Sequence, residues 1–160
     1  MTQSTAQKDD SDFSVTMTEL VLPQHTNALG AIFGGVVMGW IDIAGAIAAM
    51  RFARRPVVTV SIDSLHFIVP IKTGNTVLTR ARVTYSGKTS IEVEVVVEAE
   101  NSVTGVTKRA THAFLTYVAV DDNGDPTPVP PFNPKNEEEK KRYAEAGARR
   151  KARLAQARSD

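Results

Sequence analysis

Residues 26–50, TNALGAIFGGVVMGWIDIAGAIAAM, form a 25-residue stretch with a single ionisable side chain, Asp42. Glycines fall at positions 30, 34, 35, 39 and 45. From Phe33 to Ala53 the length and alanine content predict a helix. It is apolar on nearly every face, so it must be wrapped by protein or lie in lipid. It is long enough to span a bilayer. A carboxylate near its middle would be costly there, however, and many of its other residues are only glycine or alanine. The expectation is therefore a buried core helix.

Strand signals follow this helix. Val57–Asp63 is β-branched and is expected to continue through His66–Ile71, stopping near Pro70. Further strands are expected at 76–86, 90–100 and 108–120, joined by hairpin connections at 86–88 and 101–105. In the second of these, Ile91, Val93, Val95, Val97 and Ala99 share one face and Glu92, Glu94, Glu98 and Glu100 the other. No strand–helix alternation occurs, which argues against a doubly wound parallel sheet. The pattern gives an α+β fold: a short first strand, the helix, then four strands in a meander, with an antiparallel sheet curled around the helix. Long β-branched edges need covering, so a homodimer joined edge to edge is expected. Gly34, Gly35, Gly39 and Gly45 would let backbones approach the helix closely.

Composition divides the chain into a polar, flexible segment 1–14, a main domain 15–125, a proline-rich linker 126–134 and a charged helix 135–160. The last segment holds nine basic and five acidic residues in a chain of net charge +1. Its acidic residues lead and its basic ones follow, as the helix dipole favours, and Asn136 is placed to cap it. With only Tyr143 and Leu154 large and apolar, it reads as a solvated surface helix; a basic arm for a phosphate or a neighbouring subunit is the alternative. At 42% hydrophobic and 23% charged, the chain has the balance of a soluble globular protein. Having no cysteine, it has no disulfide framework, thiolate metal site or cysteine nucleophile. Near-neutral charge gives no electrostatic pointer to nucleic acid or an acidic membrane. The first 13 residues lack the basic start and apolar stretch of a signal peptide, and a cytoplasmic location is expected.

Asp42 is the informative residue. A carboxylate on a buried helix is expensive unless paired or hydrogen-bonded, so it either bridges to backbone or arginine at an interface or does chemistry. Asn27, in the loop His25–Gly30, either caps a turn or orients a carbonyl or a water. The Gly34–Gly35 pair at the helix start exposes N–H groups to an oxygen that develops charge. His25, His66 and His112 are too scattered to suggest a metal site by spacing. Of the three, only His25 lies near these residues, where a histidine base would make a different enzyme.

The run Leu22-Pro23-x-x-Thr26-Asn27-x-x-Gly30-x-x-Phe33-Gly34-Gly35-x-x-Met38-x-x-x-Asp42-x-x-Gly45 resembles the hotdog-fold acyl-CoA thioesterases, the acyl-CoA hydrolase family. Val58–Asp63, Phe67, Pro70-Ile71, Gly87-Lys88-Thr89-Ser90 and Phe114-x-x-x-Val118-Ala119-Val120-Asp121 are similar too, and the likeness covers about residues 15–132. It implies a hotdog fold, an antiparallel sheet wrapped around one long central helix, with the C-terminal surface helix added. It also implies a homodimer, commonly assembled as a trimer of dimers into a hexamer. The implied reaction is hydrolysis of acyl-CoA to fatty acid and CoA. No cofactor is implied beyond CoA itself as part of substrate and product. By position, Asp42 would be general base or nucleophile and Asn27 its catalytic partner from the opposite subunit, with Gly34 and Gly35 binding the oxyanion. Gly87, Lys88 and Ser90 match a segment that lies near CoA, with Lys88 where arginine is frequent and bidentate phosphate contact is lost. Phe33 stands where some relatives carry histidine. Two competing readings stay open: a hotdog hydratase or dehydratase using His25 with Asp42, and a module that binds acyl-CoA without cleaving it.

Overall fold

The computed structural model describes residues 13–158. The elements are β1 (Val15–Leu20), α1 (Gly34–Ala53), β2 (Val57–Asp63), β3 (Asn75–Ser86), β4 (Ser90–Asn101), β5 (Thr107–Ala119) and α2 (Glu137–Ala157). All strand pairs are antiparallel and the five-stranded sheet runs β1-β3-β4-β5-β2. Helix and strands fall where the sequence pattern puts them, and the sheet clasps α1 as a hotdog.

Two expectations about connectivity fail. β3, β4 and β5 form a meander, but β2 does not join it in chain order. It lies at the far edge against β5, while β3 pairs with β1 at the other. Nor does β2 continue through His66–Ile71. Ser64 adopts a left-handed conformation (φ 52°) that turns the chain out of the sheet, and Pro70 has no N–H to give to a ladder. Residues 64–74 instead run as a loop beside the start of α1. There Ile71 is buried, the Ile32 amide donates to the Ile71 carbonyl (2.8 Å) and the Ile68 amide to that of Ala110 (2.8 Å).

The core forms where α1 meets the sheet. Val37, Ile41, Ala44 and Ala48 recur at helical spacing and are fully buried. They face Val77, Ala81, Val93, Val95, Val97 and Leu115, the inward sets of the central strands. Met38, Ile43 and Met50 of α1 are exposed, and so are Val58, Val60 and Ile62 of edge strand β2.

α2 departs furthest from expectation. Asn136 does cap it, Oδ1 accepting the Glu139 amide at 2.9 Å. The helix is not simply solvated, however, because it lies against the outer face of the sheet. Tyr143 stacks on Phe132 (6.1 Å between centroids) and lies tilted against Tyr85 (4.8 Å), and Ala146 is fully buried. Docking needs no apolar stripe, since arginines meet the outward glutamates of β4. Arg149 donates to Glu92 at 2.7 Å and lies 3.6 Å over the Phe114 ring. Arg153 pairs with Asp63 (2.7 Å), and Arg142 approaches Glu94. Burial pushes Glu94 up, but the Arg82 hydrogen bond and charge, then His112, outweigh it and hold this carboxyl below its ordinary value. The proline-rich stretch is tied down as well: Ser86 Oγ accepts the Phe132 amide (2.7 Å) and donates to the Pro130 carbonyl (2.9 Å). Of the segment expected to be flexible, residues 1–12 lie outside the described residues, while Phe13 packs edge-on against Phe52 (5.5 Å).

Glu92 is 3% exposed. Removing Arg149 would leave its charge buried and unpaired, so Arg149→Ala should cost about 2 kcal/mol, below the full range for a buried pair because the arginine is partly solvated. Lys140→Ala, whose partner Glu137 is exposed, should cost less than about 0.5 kcal/mol. Urea unfolding of the two variants checks the difference.

Candidate active site

Asp42 sits in the third turn of α1, half-buried, where the helix passes the β2–β5 pair. Two hydroxyls from that pair meet it. Thr59 Oγ1 donates to Oδ1 at 2.7 Å. The Tyr117 hydroxyl donates to the Asp42 main-chain carbonyl at 2.9 Å and lies 3.2 Å from Oδ1. Thr59 and Tyr117 are directly opposite each other in the ladder, one residue before a bulge that sets Val60 and Ser61 against Thr116. Gly45 makes the tyrosine contact possible, because a Cβ there would lie 2.3 Å from the hydroxyl oxygen. Of the glycines expected to allow close approach, Gly45 does so most sharply and Gly34 meets the Phe67 ring, whereas Gly35 and Gly39 face open space.

The asparagine loop precedes the helix. Asn27 Oδ1 accepts the amides of Leu29 (2.9 Å) and Ala31 (3.3 Å), closing a tight turn. Its carbonyl end is thus committed to the fold, and its amide nitrogen is the end left to donate. The Phe33 amide bonds the His25 carbonyl (2.9 Å), and α1 then begins without a side-chain cap. Val36 and Val37 return their amides to the Phe33 carbonyl. Among the described residues the Gly34 and Gly35 amides meet no acceptor, as at any uncapped helix start. A Cβ on Gly34 would press the Phe67 ring at 3.2 Å, while one on Gly35 would meet nothing within 4 Å.

These groups do not converge within one protomer. Eight residues separate Gly34 from Asp42, which is about 12 Å along a helix axis. No hydrogen bond joins Asn27 to Asp42 among the described residues. The Gly87–Ser90 hairpin lies elsewhere again, towards the far end of α1. There Thr89 accepts the Ala119 amide, and Ala119 faces Val57 just after the helix ends. Arg150 of α2 lies over this hairpin, its Nε 3.3 Å from where a Gly87 Cβ would be. Unlike Arg142, Arg149 and Arg153, it pairs with no carboxylate among the described residues. Lys88 beside it is exposed.

The histidines are engaged locally. His25 Nδ1 accepts the Leu22 amide (3.1 Å) and its ring packs edge-on against Trp40 (5.4 Å). No hydrogen bond connects it with Asp42. His112 Nε2 bonds Glu94 (2.9 Å).

Sequence reasoning missed Thr59, Tyr117 and Arg150. The hydroxyl residues carry ordinary strand propensity, and only their register opposite one another, aimed at the helix, marks them.

Burial, then the Asp42 charge, push the Tyr117 phenol well above its usual 10.0. A group whose folded value is raised contributes stability that is complete below the ordinary value and lost as pH climbs towards the folded one. Phenolate absorbance of the native protein should therefore fall short of that of the unfolded chain by one of its three tyrosines. The shortfall should vanish in Tyr117→Phe.

Against known proteins, a sequence model of the Thioesterase superfamily matches residues 29–106. The chain is 43% identical to the uncharacterized acyl-CoA thioester hydrolase YkhA of Bacillus subtilis, over 78% of this chain and 73% of that one. It spans 36% of the length of the rat, mouse and human cytosolic acyl coenzyme A thioester hydrolases. An apo-hexameric acyl-CoA thioesterase superposes with a TM-score of 0.88 at 43% identity, covering 94% of this chain and 96% of its own. The Staphylococcus aureus acyl-CoA hydrolase, solved with butyryl coenzyme A and coenzyme A, gives 0.84 at 38% identity, covering 95% and 94%. That enzyme has also been solved as aspartate-to-alanine, threonine-to-alanine and asparagine-to-alanine variants, the last with coenzyme A bound.

Proposed function

Because the chain belongs to the thioesterase superfamily, among its acyl-CoA thioester hydrolases, we propose that it hydrolyses fatty acyl-CoA at a site shared by two protomers, with Asp42 of one and Asn27 of the other. The observation that carries this reading is the separation along α1. One chain offers a carboxylate and, about 12 Å away, unpaired helix-start amides. A second copy brings the complementary half. The surface beside Asp42 suits such a partner, since Met38, Ile43, Val58, Val60 and Ile62 are exposed and β2 pairs on one side only.

In the proposed reaction, water attacks the thioester carbonyl carbon and gives its proton to Asp42. The oxyanion is held by the Gly34 and Gly35 amides, and the Asn27 amide holds the water or the carbonyl. Collapse breaks the C–S bond. The proton passes to the CoA sulfur, leaving a fatty acid and CoA. The same carboxylate acting as nucleophile would form a mixed anhydride that water then opens at the Asp42 carboxyl carbon. Single turnover in oxygen-18 water separates the routes, because only the second leaves label in Asp42. Gly87, Lys88 and Ser90 take the phosphate-bearing end of CoA, with Arg150 added by α2. Pairing along β2 joins two sheets edge to edge, and three such dimers make the hexamer, the state of several structural neighbours. The reading places the enzyme in the cytoplasm, supported by relatives named cytosolic.

CoA release, followed with a thiol-trapping dye, tests the activity. Loss of a general base should lower turnover of Asp42→Asn by about 10²-fold or more, with the fold preserved. Asn27→Ala should be similarly impaired, and mixing the two variants should restore activity in mixed dimers. If both keep full turnover, the site is wrong; if exchange occurs without recovery, it lies within one chain. Lys88→Ala with Arg150→Ala should raise KM for acyl-CoA and leave that for the phosphate-free acyl-pantetheine unchanged.

A further inference from the structure

We propose that Tyr117 is a positioning residue for the reaction, its hydroxyl entering the helix at Gly45 to hold Asp42 with one carboxylate oxygen presented to the substrate. The inference rests on the reading of Asp42 as the reacting carboxylate. Tyr117 is fully buried and is the largest such side chain among the described residues. A buried phenol needs an acceptor. This one reaches a carbonyl inside α1, which in an α-helix already takes the amide four residues on. The helix therefore does not need the tyrosine to satisfy its backbone.

What the bond does is fix Asp42 at two points, main chain and side chain. The tyrosine hydroxyl stands 2.9 Å from the carbonyl and 3.2 Å from Oδ1, and Thr59 adds a 2.7 Å bond to that same Oδ1. An aspartate's terminal torsion is broad and nearly two-fold, so a lone carboxylate offers either oxygen. The Thr59 bond, with the phenol's single proton shared between the main-chain carbonyl and that same Oδ1, breaks that equivalence. Oδ2, which has no partner among the described residues, becomes the oxygen that meets water or thioester. Both donors come from one cross-strand pair, so the sheet sets the carboxylate's orientation and the helix only carries it. The raised phenol keeps its proton throughout the working range and remains a donor.

Gly45 completes the device. Glycine weakens a helix interior, yet any side chain there would displace the hydroxyl.

The test uses steady-state kinetics on the full chain. Tyr117→Phe fills the same space without the hydroxyl. Its kcat should fall roughly 10- to 100-fold, the scale of a small misplacement of a reacting group, with KM within about twofold. A tyrosine that merely packs would leave kcat of the folded variant unchanged. Gly45→Ala should likewise lower kcat, and by less in the Tyr117→Phe background than in the wild type, because both act through one contact. Wild-type kcat in folded Tyr117→Phe, with Asp42→Asn inactive, overturns the proposal and spares the reading of Asp42. An active Asp42→Asn overturns that reading itself. Should Tyr117→Phe fail to fold, Gly45→Ala decides, since unchanged kcat there overturns the proposal.

Discussion

The arrangement turns on one carboxylate held by a sheet while carried by a helix. An ionised group in so apolar a segment is tolerable only where donors await it. Thr59 and Tyr117 provide them because β2 crosses to the far edge of the sheet and pairs with β5, bringing residues 58 positions apart face to face over Asp42. Placing β2 beside β3 instead would leave the same sequence with neither contact. The crossover, the bulge after Thr59 and the missing side chain at Gly45 all serve that meeting.

Much of this was legible in the residues. A single acidic side chain among 25 otherwise uncharged residues announces itself, and, apart from the expected continuation of β2, the strand and helix periods place the elements to within about three residues. What was hidden is pairing. Alternation says which face a residue takes but not which strand lies beside it, so β2 read as part of a meander. The apolar run His66–Ile71 read as strand because composition does not register a left-handed Ser64. Thr59 and Tyr117 were invisible as partners of Asp42 for the same reason, since their role exists only in the register of two strands distant in sequence. α2 misled differently. Its contact surface is alanine, glycine and arginine around the one aromatic Tyr143, and a search for an apolar stripe finds none. Buried glutamates on β4 were the missing clue, and alternation places them only on the face away from the valines, without saying what covers it.

The groups given roles in the proposed reaction lie at three places in the molecule. The helix start and asparagine loop offer N–H groups, the middle of the helix a carboxylate, and the Gly87–Ser90 hairpin with Arg150 a cationic corner. In a single chain these lie strung along α1, too far apart to meet one carbonyl carbon. Assembly would thus be part of the chemistry: an isolated protomer would possess every functional group and no active site.

Under the proposed pairing along β2, its bulge bears on how copies would find one another. The strand is short and rich in β-branched residues, and such a surface can slide against its twin by two residues and still present the same faces. A shift of that size would carry the partner's Asn27 about 7 Å from its place, since each residue advances a strand about 3.4 Å. The doubled position at Val60 and Ser61 interrupts the uniform ladder. On that pairing it would act as a notch on a ruler, so that two identical edges could be read against each other in one alignment and not its neighbours.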